Sequence, residues 1–209
     1  MATDTDTETI AIQTDPRSLH DYRHRITVEE FHRMAELGVF GAEPRVELLE
    51  GVIVDKMTKN PPHVIATDLI QEMFGRLLPV GYFASMGNPV SIEERDSEPE
   101  PDVQVIRGRP RDSLGRRRTQ ADAALVIEVS DTSYAFDRYQ KSKIYAAARV
   151  PVYWILDLNR RRLEVHTDPI SEGAEAIFRA FQIYLESEEA PLILDGREVA
   201  RFALKDILP

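Results

Sequence analysis

A chain of 209 residues, 43% hydrophobic and 30% charged, is long enough for one sizeable domain with a full core. It contains no cysteine, which excludes disulfides, thiolate metal sites and cysteine nucleophiles and leaves His, Asp and Glu as candidate metal ligands. A formal net charge of −10 argues against a protein that coats nucleic acid non-specifically, because that mode neutralises phosphates with Lys and Arg; no long apolar run and no basic, apolar leader is visible, so a cytoplasmic protein without membrane contact is expected.

Residues 1–25 are polar and rich in Thr and Asp, and are expected to form a mobile tail before a single domain at 26–209. Thr27 with Glu30 three residues on is a capping-box pattern, and Gly38 is a plausible stop, so a short helix is predicted over 28–37. RVELLEGVIVDK reads as a hairpin turning at Glu50-Gly51. Alternation puts Glu47 on the face of Leu49, and an exposed edge position is the favoured reading for it from periodicity alone.

Lys59-Asn60-Pro61-Pro62 is a turn-rich break. After it, Ile65, Leu69, Met73 and Leu77, with Ile70, Phe74 and Leu78 beside them, form the apolar stripe of a core-facing helix. His63 stands at its entrance, where solvation or a hydrogen bond at the helix start is the commoner role and a place beside an active site the sharper one. YFASMGNPVSIEE gives two short strand-like runs about Gly87-Asn88-Pro89. Asp102 then heads the apolar run DVQVI. Between it and the next strand, residues 107–118 hold Arg107, Arg109, Arg111, Arg116, Arg117 and Arg118 against one aspartate. A solvated basic loop and a phosphate-contacting one are equal readings of that patch.

AALVIEVS is apolar almost throughout, as in a strand covered on both faces, and Glu128 interrupts it with Ser130 on the same side. A carboxylate there is costly unless its charge is compensated. YAFDRYQKSKIYAAARV reads as helical, with Asp137, Lys141 and Tyr145 recurring every four residues along one face. VPVYWILDL is another buried strand, turning at Arg160-Arg161 into RLEVHT. A loop at 171–174, the run AIFRAFQIYL, a further pair near Leu192 and Val199 and a terminal ALKDIL read as sheet extension.

The succession is that of a mixed α/β sheet core with Asp102, Glu128 and Lys141 able to converge at one end. Phosphodiester hydrolysis uses such a set: carboxylates hold Mg²⁺ through oxygen, and an ammonium positions water or offsets developing negative charge. On spacing alone, a strand-capping Asp102 and a buried Glu128–Lys141 ion pair account for the same residues equally well.

The ordered pieces P-D-V-Q-V, I-E-V-S-D-T-S, F-D-R-Y-Q-K-S-K-I-Y-A and V-P-V-Y-W-I-L-D-L resemble the Uma-type restriction endonucleases, a branch of the PD-(D/E)xK nuclease superfamily. The likeness extends upstream to V-E-L-L-E-G-V-I-V and His63, over roughly residues 25 to 167. It implies a restriction-endonuclease-like core with flanking helices and extra C-terminal strands. It also implies Asp102 and Glu128 as the metal-binding acids, Glu47 as an additional acidic member, and a Mg²⁺ or Mn²⁺ cofactor. The commonest superfamily pattern has a lysine two residues after the second acid, where this chain has Ser130; the resemblance maps the lysine onto Lys141, with Lys143 on a different face. His63, Ser130, Asp137 and Tyr145 are the accessory candidates. The expected activity is endonucleolytic cleavage of DNA by a homodimer; the alternative is a non-catalytic module of the same fold that binds nucleic acid or a protein partner.

Overall fold

The computed structural model describes residues 22–42, 45–172 and 175–209; the predicted tail lies outside them up to residue 21. The near-unbroken apolar run after Asp122 becomes the central strand. Labelled in chain order, the strands are β1 (Val46–Leu49), β2 (Val52–Asp55), β3 (Tyr82–Met86), β4 (Val103–Arg107), β5 (Ala123–Ser130), β6 (Val152–Asp157), β7 (Arg162–Glu172), β8 (Glu175–Leu185), β9 (Glu189–Leu194) and β10 (Arg197–Ala203). Six of them form one sheet in the order β3-β4-β5-β6-β7-β8. Only β5 and β6 run parallel. All eight residues of β5 and all six of β6 are buried, which is why both read as continuous apolar runs rather than alternating ones.

Helix α1 (Val28–Glu36) starts from the predicted capping box: Thr27 Oγ1 accepts from the Glu30 N–H, and the Glu30 side chain accepts from the Thr27 N–H. It buries Val28 and Phe31 against Leu48 of the β1–β2 hairpin. Glu50 and Gly51, at φ 48° and 73°, make the tight turn of that hairpin.

Helix α2 (Pro61–Leu77) covers one face of the sheet, packing Ala66, Ile70, Met73 and Phe74 onto Val103, Val105, Leu125, Ile127 and Trp154. The buried face differs from the predicted stripe at its first turns: Ile65 is exposed, Leu69 is half-buried, and His63 and Ala66 face inward instead. Ala66 is fully buried in the core against the sheet.

The opposite face is covered by the β5–β6 crossover helix, α3 (residues 134–147). It opens as an α turn at Tyr134–Phe136, widens into a π turn over Asp137–Lys141, and returns to α over Ser142–Ala147. Its Ile144, Tyr145 and Ala146 pack on Val126, Tyr153 and Ile155.

Three expectations are corrected. The second strand-like run, after Pro89, makes only isolated bridges, Ser91 to Thr119 and Ile92 to Ser97, because its apolar residues Val90 and Ile92 are used to cover the α3 face. The pair near Leu192 and Val199 does not extend the sheet. Strands β9 and β10 form a separate hairpin that folds Leu192, Leu194 and Phe202 onto the α2 face, with Phe202 5.5 Å from Trp154 by ring centroids; ALKDIL closes that core as a single 3-10 turn at Leu204–Ile207. The loop expected at 171–174 is shorter, since Ser171 and Glu172 still pair with Ala176 and Glu175, and its remaining residues, 173–174, lie outside the described ones. Only β8, paired along β7, extends the sheet as predicted.

Candidate active site

Strand register brings the two acids together. Val103 pairs with Ile127, so one step further Asp102 stands across from Glu128, and the Val129 N–H donates to Asp102 Oδ2 at 2.9 Å. His63, turned inward on the first turn of α2, places Nε2 3.0 Å from the same oxygen. Lys59, just ahead of the helix, places Nζ 3.0 Å from Oδ1. Burial alone would raise the Asp102 pKa, but the His63 contact, the Lys59 charge and the Val129 N–H outweigh it, and the carboxyl is held below its ordinary range.

Glu128 is buried on the α3 side, where its Oε1 accepts from Lys141 Nζ at 3.1 Å and from the Tyr145 hydroxyl at 2.8 Å. Lys141 also stands 3.3 Å from Glu47 Oε1. Burial pushes the Glu128 pKa well above the usual value; the Lys141 charge opposes this, and the charges of Asp137, Asp102 and Glu47 reinforce it. Burial would lower the Lys141 pKa, yet the surrounding Glu128, Glu47 and Asp137 raise it, so the ammonium stays protonated. One cation is thus shared among several acids.

Glu47 is 5% exposed, which overturns the edge position that alternation favoured. Strand β1 is not open on that side: the segment before Asp102 lies along it, with the Glu98 N–H donating to the Leu48 carbonyl and the Glu100 N–H donating to Glu47 Oε2 at 3.0 Å. A partner fifty residues away in sequence leaves no mark on local periodicity.

The accessory candidates also converge. Ser130 Oγ donates to Asp137 Oδ2 at 2.7 Å, and the Ser133 hydroxyl donates to the same oxygen. The residue at the usual lysine position therefore secures the π turn from which Lys141 enters. Burial raises the Asp137 pKa, with Lys141 and the two serines pulling the other way. Lys143 is exposed on the far side of the helix.

Glu47, Lys59, His63, Asp102, Glu128, Asp137 and Lys141 line a cleft of about 200 Å³, and Ser130 and Tyr145 are not part of its lining. Sequence reasoning missed part of its rim. Lys56 pairs with Glu100, and Asn60 donates to Asp131. Asn60 accepts from the His63 N–H as the α2 cap, with prolines in the first two helical positions; that Asn-Pro-Pro start was the available signal for placing Lys59 at the cleft mouth. None of the six loop arginines lines the cleft. Arg107 is held by Asp195, Arg109 by Asp112, Arg116 by Asp122 and Arg118 by Ser85.

A mixed sheet with acids at one strand end and a lysine entering from the crossover helix defines the class, a restriction-endonuclease-like nuclease fold. The family model "Uma2: Putative restriction endonuclease" matches residues 28–195, and the chain belongs to that family. It is similar in structure to a crystal structure from Anabaena variabilis described as a putative nuclease belonging to DUF820, with a TM-score of 0.65 and 14% identity over 87% of this chain and 97% of that one. At that identity the likeness is one of fold. A search of the curated proteins finds no match. No helix among the described residues is long and apolar enough to cross a membrane.

Proposed function

We propose that the protein is a metal-dependent endonuclease that hydrolyses phosphodiester bonds in DNA. The observation that supports this most is the charge imbalance of the cleft: Glu47, Asp55, Glu100, Asp102, Glu128, Asp131 and Asp137 line it against only Lys56, Lys59 and Lys141. A divalent cation would relieve that excess.

The donor set suits Mg²⁺ or Mn²⁺, being all oxygen. Among the described residues no three acids or histidines stand together as a ready-made cage, but Mg²⁺ keeps several waters and is commonly held by only one or two carboxylates. Asp102 and Glu128 would hold it, with Glu47 as the third acid. When bound, the ion supplies an activated water and a polarised phosphoryl oxygen. His63 orients the Asp102 carboxylate. Lys141, kept protonated, is placed to offset negative charge developing on the phosphate. Tyr145 fixes the Glu128 carboxylate through its hydroxyl. Because one cleft cuts one strand, a homodimer is proposed as the unit that cuts both.

The test is cleavage of supercoiled plasmid and single-stranded DNA with Mg²⁺, with Mn²⁺ and with chelator. Cutting should require metal and fall more than about 100-fold in Asp102→Ala and in Glu128→Ala, beyond the 10–100-fold typical of residues that only support a metal ligand. Nucleic-acid binding with no cutting under any metal, unchanged in Glu128→Ala and Lys141→Ala, would replace this reading with the non-catalytic module.

A further inference from the structure

A second pocket, of about 340 Å³, lies beside the catalytic cleft and shares a stretch of chain with it. Glu98 lines this pocket, whereas Glu100 and Asp102 line the cleft. Four residues of fully extended chain span at most about 14 Å, a distance covered by about four nucleotides of one strand at 3.4 Å per residue of duplex axis.

The pocket wall carries Arg116, Arg117 and Arg118, the end of the basic loop. Two of the three are fixed in place. Arg116 makes paired contacts of 2.7 Å with Asp122. Arg118 donates to Ser85 at 2.7 Å and lies over the Phe83 ring at 5.1 Å. Arg117, between them, is exposed, and its side chain makes no hydrogen bond or ion pair among the described residues. The acid of the pocket, Glu98, is already matched, with Oε2 2.6 Å from His32 Nε2.

An independent observation points to a ligand. Ser91 lines the pocket and is almost wholly buried, its backbone N–H is tied to the Arg118 carbonyl at 2.9 Å, and its hydroxyl is one of the few buried polar groups without a partner. A buried hydroxyl lacking a partner and an uncommitted guanidinium lining one pocket are a donor set for an oxyanion.

We infer that this pocket is a phosphate subsite, in which Arg117 and Ser91 hold a backbone phosphate of the DNA strand whose scissile bond lies in the neighbouring cleft. That the phosphate belongs to DNA rests on the nuclease reading above. The subsite assigns to Arg117 a role that Arg107, Arg109 and Arg116, engaged with Asp195, Asp112 and Asp122, do not share.

The experiment is fluorescence anisotropy of the full-length chain with a short labelled DNA duplex, with and without a 5′-phosphate, in chelator across a salt series. Arg117→Ala should lower the slope of log affinity against log salt by about 0.9, the loss of one phosphate contact. Ser91→Ala should weaken binding about tenfold, the worth of a hydrogen bond to a charged group. Arg201→Ala, on β10, should leave the slope unchanged. Wild-type affinity and slope in both pocket variants would overturn the proposal, and so would an effect confined to 5′-phosphorylated ends. Arg117 is exposed, so its replacement does not put folding at risk. The binding readout needs no cutting, so a chain that binds in this way but cuts nothing when metal is supplied would sink the catalytic reading and leave the subsite standing.

Discussion

Asp102 and Glu128 face each other across adjacent strands, and each meets a lysine about 3 Å away, yet their environments push them in opposite directions. Asp102 lies at the cleft mouth, where a backbone N–H, an imidazole and a half-exposed ammonium converge on it and stabilise the ionised form. Glu128 lies behind it, enclosed by Tyr145 and Lys141 and by other acids that compete for the same ammonium. An ion pair therefore does not by itself fix a carboxylate's charge; the number of donors and the number of competing acids decide it. The mouth is prepared as an anion, and the interior waits for a second cation.

The largest effect expected from disturbing this contrast is at Lys141. Its side chain is 9% exposed and is held by both Glu47 and Glu128. Lys141→Met would leave two buried acids without their cation, and breaking a buried pair from one side costs about 3–5 kcal/mol. Urea denaturation at pH 7 should show that loss. Recovery of part of it at pH 5, where the raised pKa of Glu128 favours its neutral form, would confirm that uncompensated charge rather than lost packing is responsible; an equal loss at both pH values would not fit.

A smaller effect, and one that separates the two acids, is the pH dependence of stability. The Asp102 pKa is lowered from 3.8 on folding, so its contribution is present above that value and is lost as pH falls through the folded pKa. The Glu128 pKa is raised from 4.5, so the folded protein retains a proton that the unfolded chain releases, and stability declines as pH rises above that value. Asp102→Asn should flatten the acid limb of a plot of urea midpoint against pH, and Glu128→Gln the limb towards neutrality. Mg²⁺ should also offset the second limb. Should Glu128→Gln keep a neutral limb of wild-type size, the picture of an interior acid holding its proton is wrong.

Which of these features could be read from the sequence depends on how local their cause is. The β5 and β6 runs, the Thr27–Glu30 cap and the hairpin at Glu50-Gly51 are specified by neighbouring residues, and all appear in the structure. Glu128 was legible because a carboxylate within AALVIEVS is anomalous whatever surrounds it. Lys141 came from the resemblance together with helical spacing, and Asp137, Lys141 and Tyr145 are all buried; that spacing did not foretell the π turn, which is stabilised by Ser130 and Ser133 on Asp137. The burial of Glu47 was hidden because the covering segment is long-range. The packing of β9 and β10 across a face, instead of along the edge, was hidden for a related reason: alternation records that a strand has an apolar side, but not which surface receives it.

The smallest effect, at Lys59, separates the mouth from the interior most directly. Its ammonium touches Asp102 much as Lys141 touches Glu128, but its side chain is 46% exposed. Solvent screening limits such a pair to about 0–1 kcal/mol, so Lys59→Ala should barely move the urea midpoint, in contrast to Lys141→Met. Removing it also frees an oxygen of Asp102 from a competing cation. Metal affinity measured by calorimetry should then rise by up to about fivefold, the equivalent of that same 1 kcal/mol, and the gain should shrink with added salt because the competitor is exposed. Weaker metal binding in Lys59→Ala would mean that the lysine helps to assemble the site instead of occupying it, and the mouth would then resemble the interior after all.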